Sequence, residues 1–369
     1  MKIGFDAKRA FFNKSGLGNY SRNLIYSLIN NFPENDYFLF TTNENSNLFD
    51  INFRKNLISP QTNLKLKQNY WRSFLITNEI IKHKLDIYHG LSNELPLNIN
   101  KSNVKKFVTI HDLIFLKFPH LYNPIDVKIY NYKFKKACCY ADKIIATSEQ
   151  TKIDVINYYH INEKKIEVIY QSYNDIFTVK SDKQTKVFIK NKYNLPDNFI
   201  LNVGTIEKRK NLLSIIKSID NNRFNINLVV VGKKTKYQEE IEKYLKNKEI
   251  KNKILFLENV SNNDLPTIYQ LSKLLIYPSL YEGFGIPIIE AFASEIPVIT
   301  SNTSSMFEIS EKFAICVNPN DCEEITNAIE KLLNNPQHYK YFVELSKKGK
   351  EFYSTKTMLS NIINCYLSI

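Results

Sequence analysis

Short apolar runs alternate along the chain with longer stretches whose apolar positions recur every three or four residues. The runs KIGFDA (2–7), DYFLF (36–40), DIYHG (86–90), FVTIHD (107–112), KIIATS (143–148) and EVIY (167–170) read as strands. Helical patterns lie between several of them, such as NYSRNLIYSLINN (19–31) and SEQTKIDVINYY (148–159). After a polar stretch near 174–196 the alternation restarts. FILNVG, INLVVVG, KILFLEN, LLIYP, PVIT and AICVN read as strands, and NLLSIIKSI, YQEEIEKYLKN, NDLPTIYQLS and IPIIEAFAS as helices. Strands spaced by helices predict βαβ units and parallel sheets. Two successive series predict an α/β chain of two Rossmann-like doubly wound domains, 1–175 and 176–354, facing each other across a cleft. Ligands of such sheets bind outside the carboxyl ends of the strands. Residues 336–369 read as helical throughout.

Composition narrows the class. The 369 residues are 43% hydrophobic and 24% charged, which suits a folded protein with two full cores. No apolar run reaches the length of a membrane span, and the start MKIGFDAKRAFF lacks the pattern of a signal peptide. The five cysteines form no CxxC pair, so neither a disulfide framework nor a zinc site is expected, and a cytoplasmic location is. The net charge of +13 suits anionic partners, including phosphorylated ligands and anionic lipid. The chain is also rich in Asn, Lys, Ile, Tyr and Phe, so composition alone is a second explanation of the lysine excess. The aromatic-basic motifs of nucleic-acid-binding modules are missing, and no nucleic-acid partner is expected.

Glycine is scarce, and eight of nine fall at predicted strand ends or loops. Gly16-Leu17-Gly18 follows the first strand and is expected to open the first helix. It is not a dinucleotide fingerprint, but such a turn can offer N–H groups to a phosphate. The strongest segment is YPSLYEGFGIPIIEAFAS (277–294). A strand ends near Pro278, Glu282-Gly283-Phe284-Gly285 forms a loop, and a helix starts near Ile286-Pro287. Seven residues separate Glu282 from Glu290. Glu290, on the first helical turns, could accept two ribose hydroxyls, while the amides around Gly285 suit a phosphate. In NVGTIEKRKNLLSII (202–216) a strand ends at Gly204, and Arg209 and Lys210 precede a helix. Paired cations there would face the charge developing on a leaving diphosphate. No DxD-like acidic pair occurs, so neither a metal nor a cofactor is expected.

With these segments in view, the chain resembles the retaining glycosyltransferases of family 4, which have the GT-B fold. The likeness runs over nearly the whole chain, through the GLGNY turn, HGLSNELP, VTIHDLIFLKFP, ATSEQTK, VGTIEKRKNL and above all Glu282 and Glu290 in YEGFGIPIIEA. It implies a nucleotide-sugar donor held by the second domain and a glycan or lipid-linked acceptor on the first. It implies that Glu282 contacts the donor sugar, Glu290 the ribose, and Arg209 with Lys210 the pyrophosphate. The loop of Gly16 and Gly18 would close over the pyrophosphate, with Gly204, Gly283, Phe284, Gly285 and Ile286 also at the donor. Val260 and Leu265 would help hold the base, and His111 would lie near the transferred sugar. A final helix, 355–369, would cross back to the first domain with Met358, Ile362, Ile363 and Tyr366 buried. The GTIEKRKN form is mannosyltransferase-like, which points to GDP-mannose and to surface polysaccharide or lipopolysaccharide synthesis.

Four positions depart from the pattern: Thr205 and Asn19 where Arg is common, Glu295 where a helix-ending Gly is usual, and Phe307 for a frequent Pro. Glu295 is expected to cost about 1 kcal/mol if its φ is positive. Lys128, Lys133, Lys135 and Lys136 lie on a tyrosine-rich helical stretch that suits peripheral contact with anionic lipid at the inner face of a membrane, or simply a solvated face. Two alternatives stay open: another GT-B enzyme, such as a sugar-nucleotide epimerase or glycan phosphorylase, and a basic nucleic-acid-binding protein.

Overall fold

The computed structural model describes residues 1–44, 48–49, 56–220 and 225–369. The chain divides into two compact units, Met1–Gln171 with Thr355–Ile369, and Ser172–Ser354. The first crossing thus falls at Gln171, where the sequence pattern put it at 175. The described strands of the first unit are β1 (Lys2–Asp6), β2 (Asp36–Phe40), β3 (Leu57–Ile58), β4 (Ile87–Gly90), β5 (Lys105–Ile110), β6 (Lys143–Ala146) and β7 (Ile166–Val168). They form one parallel sheet in the order β3-β2-β1-β4-β5-β6-β7. The second unit has β8 (Phe199–Val203), β9 (Asn227–Val231), β10 (Ile254–Leu257), β11 (Leu275–Tyr277), β12 (Val298–Ser301) and β13 (Ile315–Val317). These are parallel too, in the order β10-β9-β8-β11-β12-β13. Both sheets are doubly wound, and strand addition reverses between β1 and β4 and between β8 and β11.

Period-two alternation explains why these strands are apolar on both faces. Along β5, Val108 and Ile110 pack in one cluster with Phe40, Tyr88 and Ile144. Phe107 faces the other way, with Ile3, Phe5, Leu24 and Ile145. That second cluster also takes in the helix Thr355–Leu367, through Met358, Leu359, Ile362, Cys365 and Tyr366. Ile363 is only half buried, while Leu359 and Cys365 fill the face. The two-unit reading of 336–369 as helix throughout meets one break, at Tyr353 and Ser354, between Pro336–Phe352 and Thr355–Leu367.

Beneath the final helix runs a buried polar chain. The Tyr366 hydroxyl is hydrogen-bonded to His89 Nδ1 at 2.7 Å, and His89 Nε2 to Thr109 Oγ1 at 2.8 Å. Thr109 Oγ1 is also bonded to the Tyr20 hydroxyl at 3.1 Å. Burial, with His111 nearby, holds His89 neutral by lowering its pKa to about 3. Each link thus joins two neutral partners, which avoids an unpaired charge in the core.

Glu295 adopts φ 60°, the left-handed conformation that glycine tolerates best. Its carboxylate pairs with Lys180 at 2.6 Å and Lys350 at 2.9 Å, two bonds that a glycine could not make. The two pairs hold the side chain against the segments that carry Lys180 and Lys350. Phe307 is 42% exposed on the helix Ser304–Ser310. Asn19 accepts a hydrogen bond from Arg22, whose guanidinium also holds the carbonyls of Ala10 and Asn13.

Tyr366→Phe removes one link of the buried chain and leaves a His89 nitrogen without its partner. An unsatisfied buried polar group costs about 1–3 kcal/mol. The variant is therefore expected to unfold at lower urea than the wild type, and a urea titration followed by circular dichroism checks it.

Candidate donor site

Pro278 follows β11, and the loop from there to Gly285 leads into the helix Ile286–Ala293. Gly285 makes the turn at φ 110°, a conformation that side-chain-bearing residues rarely adopt. Pro287 sits in the first turn of the helix, where its fixed φ fits but where it brings no N–H. The loop is pinned from behind by two hydroxyls. Ser304 Oγ donates to the Glu282 carbonyl at 2.9 Å, and Ser305 Oγ to the carbonyls of Glu282 at 2.9 Å and Phe284 at 3.0 Å. Opposite, β8 ends before Gly204, and a short turn carries Lys208–Lys210. Asn211, at φ 60°, ends that turn and donates to the carbonyls of Pro278 at 3.1 Å and Pro319 at 2.6 Å. The Leu280 amide donates to the Arg209 carbonyl at 2.8 Å. The two loops at the β8/β11 reversal are therefore tied to each other.

Their charges meet at Glu282. Its Oε2 lies 2.8 Å from Arg209 Nη1, and its Oε1 lies 2.6 Å from Lys210 Nζ and accepts from the Tyr277 hydroxyl at 3.0 Å. Lys210 Nζ also hydrogen-bonds Tyr277 and sits 4.9 Å over its ring centre. Arg209 further pairs with Glu207 and donates to the Tyr281 carbonyl. Burial opposes the charge on Glu282, but Lys210 and Arg209 outweigh it and hold its pKa at about 2. Burial lowers the pKa of Lys210, with Glu282 working against that shift. The two cations expected to face a diphosphate are thus matched, in this structure, by Glu282 and Glu207. An entering diphosphate would compete with these carboxylates for the same N–H groups.

Glu290 lies on the helix that follows, and it is buried. The Tyr269 hydroxyl donates to its Oε2 at 2.9 Å, while Oε1 takes no hydrogen bond from the described residues. Burial raises its pKa to about 7, and the Tyr269 bond offsets this only in part. Tyr269 stands one turn after Leu265, in the helix Leu265–Leu271. Leu265 and Val260 are both half buried.

The structure thus brings Gly204, Arg209, Lys210, Glu282, Gly283, Phe284, Gly285 and Ile286 to one strand reversal, with Glu290 just behind. Gly16, Gly18 and His111 belong to the other unit. The Gly16 turn opens the second helix, since Lys8–Phe12 forms one before it. The Gly18 amide donates to the Ser15 carbonyl at 2.9 Å, so it is taken within the turn. A Cβ on Gly18 would fall 1.8 Å from the Asn13 carbonyl oxygen, so its lack of a side chain serves chain packing. His111 Nε2 donates to the Leu91 carbonyl at 2.9 Å, and its amide donates to Asn93 Oδ1 at 2.7 Å. Burial lowers its pKa to about 4, so it is a neutral imidazole with Nδ1 left as the acceptor.

Two family models cover most of the chain: "Glycosyl transferases group 1" over residues 182–349 and "Glycosyltransferase Family 4" over residues 15–175. The O-antigen chain mannosyltransferase RfbU of Salmonella typhimurium is 31% identical over 254 residues, covering 69% of this chain and 68% of that protein. The chain belongs to the glycosyltransferases. The serotype-specific mannosyltransferase WbdA of Escherichia coli is 29% identical to the glycosyltransferase over 278 residues. This match covers 70% of the glycosyltransferase and 33% of WbdA, a third of WbdA's own length. Anabaena HepE, solved in complex with UDP and glucose, superposes with a TM-score of 0.76 at 15% identity, over 100% of both chains. The fold is GT-B. The epimerase and phosphorylase readings give way to glycosyl transfer.

Several polar groups of this site escape the sequence pattern. Tyr269 and Tyr277 occupy apolar positions of a helix and a strand, and so read as core. Ser304 and Ser305 act through hydroxyls on loop carbonyls, which no spacing reveals. Glu207 was visible in EKRK, two residues before the arginine it pairs with.

The raised pKa of Glu290 has a sign that experiment can read. Its carboxyl titrates near 4.5 in the unfolded chain and about 7 in the fold, so folding favours the protonated form. That contribution, about 3 kcal/mol, is whole below the unfolded value and is lost as pH rises through the folded one. The wild-type glycosyltransferase is expected to lose stability relative to Glu290→Gln between about pH 5 and about pH 8. Paired urea titrations at the two ends of that window check it.

Proposed function

We propose that the chain transfers mannose from GDP-mannose, with retention and without a metal ion, to a glycan or lipid-linked acceptor in surface polysaccharide or O-antigen synthesis. The observation that carries the reading is the Arg209–Lys210–Glu282 cluster at the β8/β11 reversal, with Glu290 behind it. The mannosyltransferase names of RfbU and WbdA support the sugar. As the bond to the donor breaks, negative charge grows on the diphosphate. Arg209 and Lys210 supply preorganised donors to it, and the sugar's hydroxyls take their place at Glu282. Glu290 Oε1 accepts from the ribose. One donor aimed at developing charge is worth about 3–4 kcal/mol, or 10²–10³ in rate.

Purified protein is expected to turn over GDP-mannose in preference to UDP-sugars, to do so in EDTA, and to give a product with the donor's anomeric configuration by NMR. Lys210→Ala is expected to lose about 10²–10³ in turnover. Arg209→Lys is expected to lose part, because an ammonium cannot copy the planar fork. Full loss in EDTA with rescue by magnesium or manganese, or an inverted product, overturns the mechanism.

The reading includes peripheral contact with anionic lipid. Among the described residues no helix is long and apolar enough to cross a membrane. Two elements of the first unit expose apolar side chains beside lysines. Leu64, Leu66 and Tyr70 stand out at and along the helix Lys65–Tyr70, with Lys65 and Lys67. Ile125, Ile129 and Tyr132 stand out on the helix Pro124–Tyr140, with Lys128 and Lys135. The other two lysines of that helix are engaged: Lys133 pairs with Glu94 at 3.1 Å, and Lys136 lies over Tyr140. Exposed apolar side chains flanked by cations suit an anionic interface. The protein is expected to float with phosphatidylglycerol vesicles at low salt and less so at high salt, and Leu66→Glu is expected to weaken that. Equal recovery from neutral and anionic vesicles counts against it.

A further inference from the structure

The GLGNY turn sends one side chain into the core of the first unit. Tyr20 lies on the helix Gly16–Asn31 and is buried in the same cluster that the final helix fills. Its ring stands almost perpendicular to that of His111, at 85°, with the ring centres 4.7 Å apart. Its hydroxyl ends the polar chain that runs through Thr109 and His89 to Tyr366. Tyr20 therefore touches His111 on one side and, through two buried groups, the final helix on the other.

The backbone of His111 is firmly held. Its amide donates to Asn93 Oδ1 at 2.7 Å, and its carbonyl accepts from Thr147 Oγ1 at 3.0 Å and Thr151 Oγ1 at 3.2 Å. Asn93 is itself set by its amide, which donates to the Thr109 carbonyl at 2.9 Å. The imidazole has a weaker hold. Among the described residues its one hydrogen bond is from Nε2 to the Leu91 carbonyl. That bond selects the tautomer and leaves Nδ1 as the acceptor. It restrains rotation of the ring only loosely, because the torsion between an sp³ and an sp² carbon is broad. The Tyr20 ring blocks that rotation from one side.

Tyr20 cannot swing away without giving up Thr109. Each member of the polar chain has one proton to donate, so the bonds run in one direction from end to end, and a break at Tyr366 disturbs the bonds that reach Tyr20. We infer that Tyr20 is a positioning residue: its ring, held through Thr109, His89 and Tyr366, fixes the rotation of the His111 imidazole and so the direction in which Nδ1 is presented. The inference rests on the reading that His111 lies near the transferred sugar. A ring free to turn would offer Nδ1 in the wrong place, and a misplacement of about 1 Å can cost on the order of 10²-fold in rate.

The test uses the purified full chain and two readouts, turnover of GDP-mannose and proton–nitrogen NMR spectra of the histidine rings. The chain has six histidines, and the His111 signals are those missing from His111→Ala. Tyr20→Leu is expected to lower turnover about tenfold or more, to move the KM for GDP-mannose less than about twofold, and to broaden or split the His111 ring signals. Tyr20→Phe keeps the ring and is expected to recover most of the turnover. Tyr366→Phe cuts the far end of the chain. It is expected to disturb the His111 signals in the same sense and to slow turnover less than Tyr20→Leu does, and it carries the test if Tyr20→Leu is poorly folded. His111 signals unchanged in both Tyr20→Leu and Tyr366→Phe overturn the inference, whatever the turnover. So does a Tyr20→Phe variant as slow as Tyr20→Leu, because the ring would then not be the working part. Full turnover in His111→Ala would instead strike the reading of His111 on which the inference rests, and that result is read without the spectra.

Discussion

The second unit is organised around one buried carboxylate. Glu282 lies almost out of solvent, where an unpaired charge would be untenable, and it is kept ionised only because Arg209 and Lys210 reach it from a different loop. That requirement fixes the geometry around it. The turn after β8 must bring two cations to the same point, and the loop after β11 must present the carboxylate. Asn211 and the Leu280 amide stitch those loops, while Ser304 and Ser305 brace the second from below. Removing either cation leaves Glu282 with only one partner for its buried charge.

Much of this was readable in the chain. The strands other than β3 followed from apolar period, and the loop-to-helix transition at 285–287 followed from Gly and Pro in their usual places, but the two-residue edge strand Leu57–Ile58 is too short to show a period and the helix Lys183–Lys192 lay hidden in the polar stretch 174–196. Arg209, Lys210 and Glu282 stood out as charges in the loops that follow strands, and Glu290 as a carboxylate on the first turns of the helix after them. What the pattern could not give is pairing. The cations looked free to meet a ligand, but burial makes them seek the nearest carboxylates, and only coordinates show that these are Glu282 and Glu207. Gly18 looked like a phosphate turn, and the structure gives its amide to Ser15 and its empty Cβ position to Asn13. The helix Lys8–Phe12 was hidden because KRAFF is too short to show a period. Tyr88, Tyr269 and Tyr277 were indistinguishable from core by spacing, since their rings do serve as core and only their hydroxyls do otherwise.

The two reversals handle charge differently. At β8/β11 a carboxylate is answered by two cations, and the free acceptor is Glu290, set back in a dry niche with its proton held more tightly than usual. At β1/β4 two carboxylates share one guanidinium, and burial of Glu94 is outweighed by Arg72 and Lys133, which hold its pKa at about 2.

The final helix carries a consequence for how the chain is made. Its residues fill the first unit's core, and Tyr366 completes the polar chain through His89, but these residues are synthesised after the whole of Ser172–Ser354. Domains usually fold from the amino terminus during synthesis, but here the first unit's core gains its last side chains only after the second unit has been made. The second unit is contiguous and can close as it emerges. The first gains its cover over Phe107 and Ile145 only when this helix arrives.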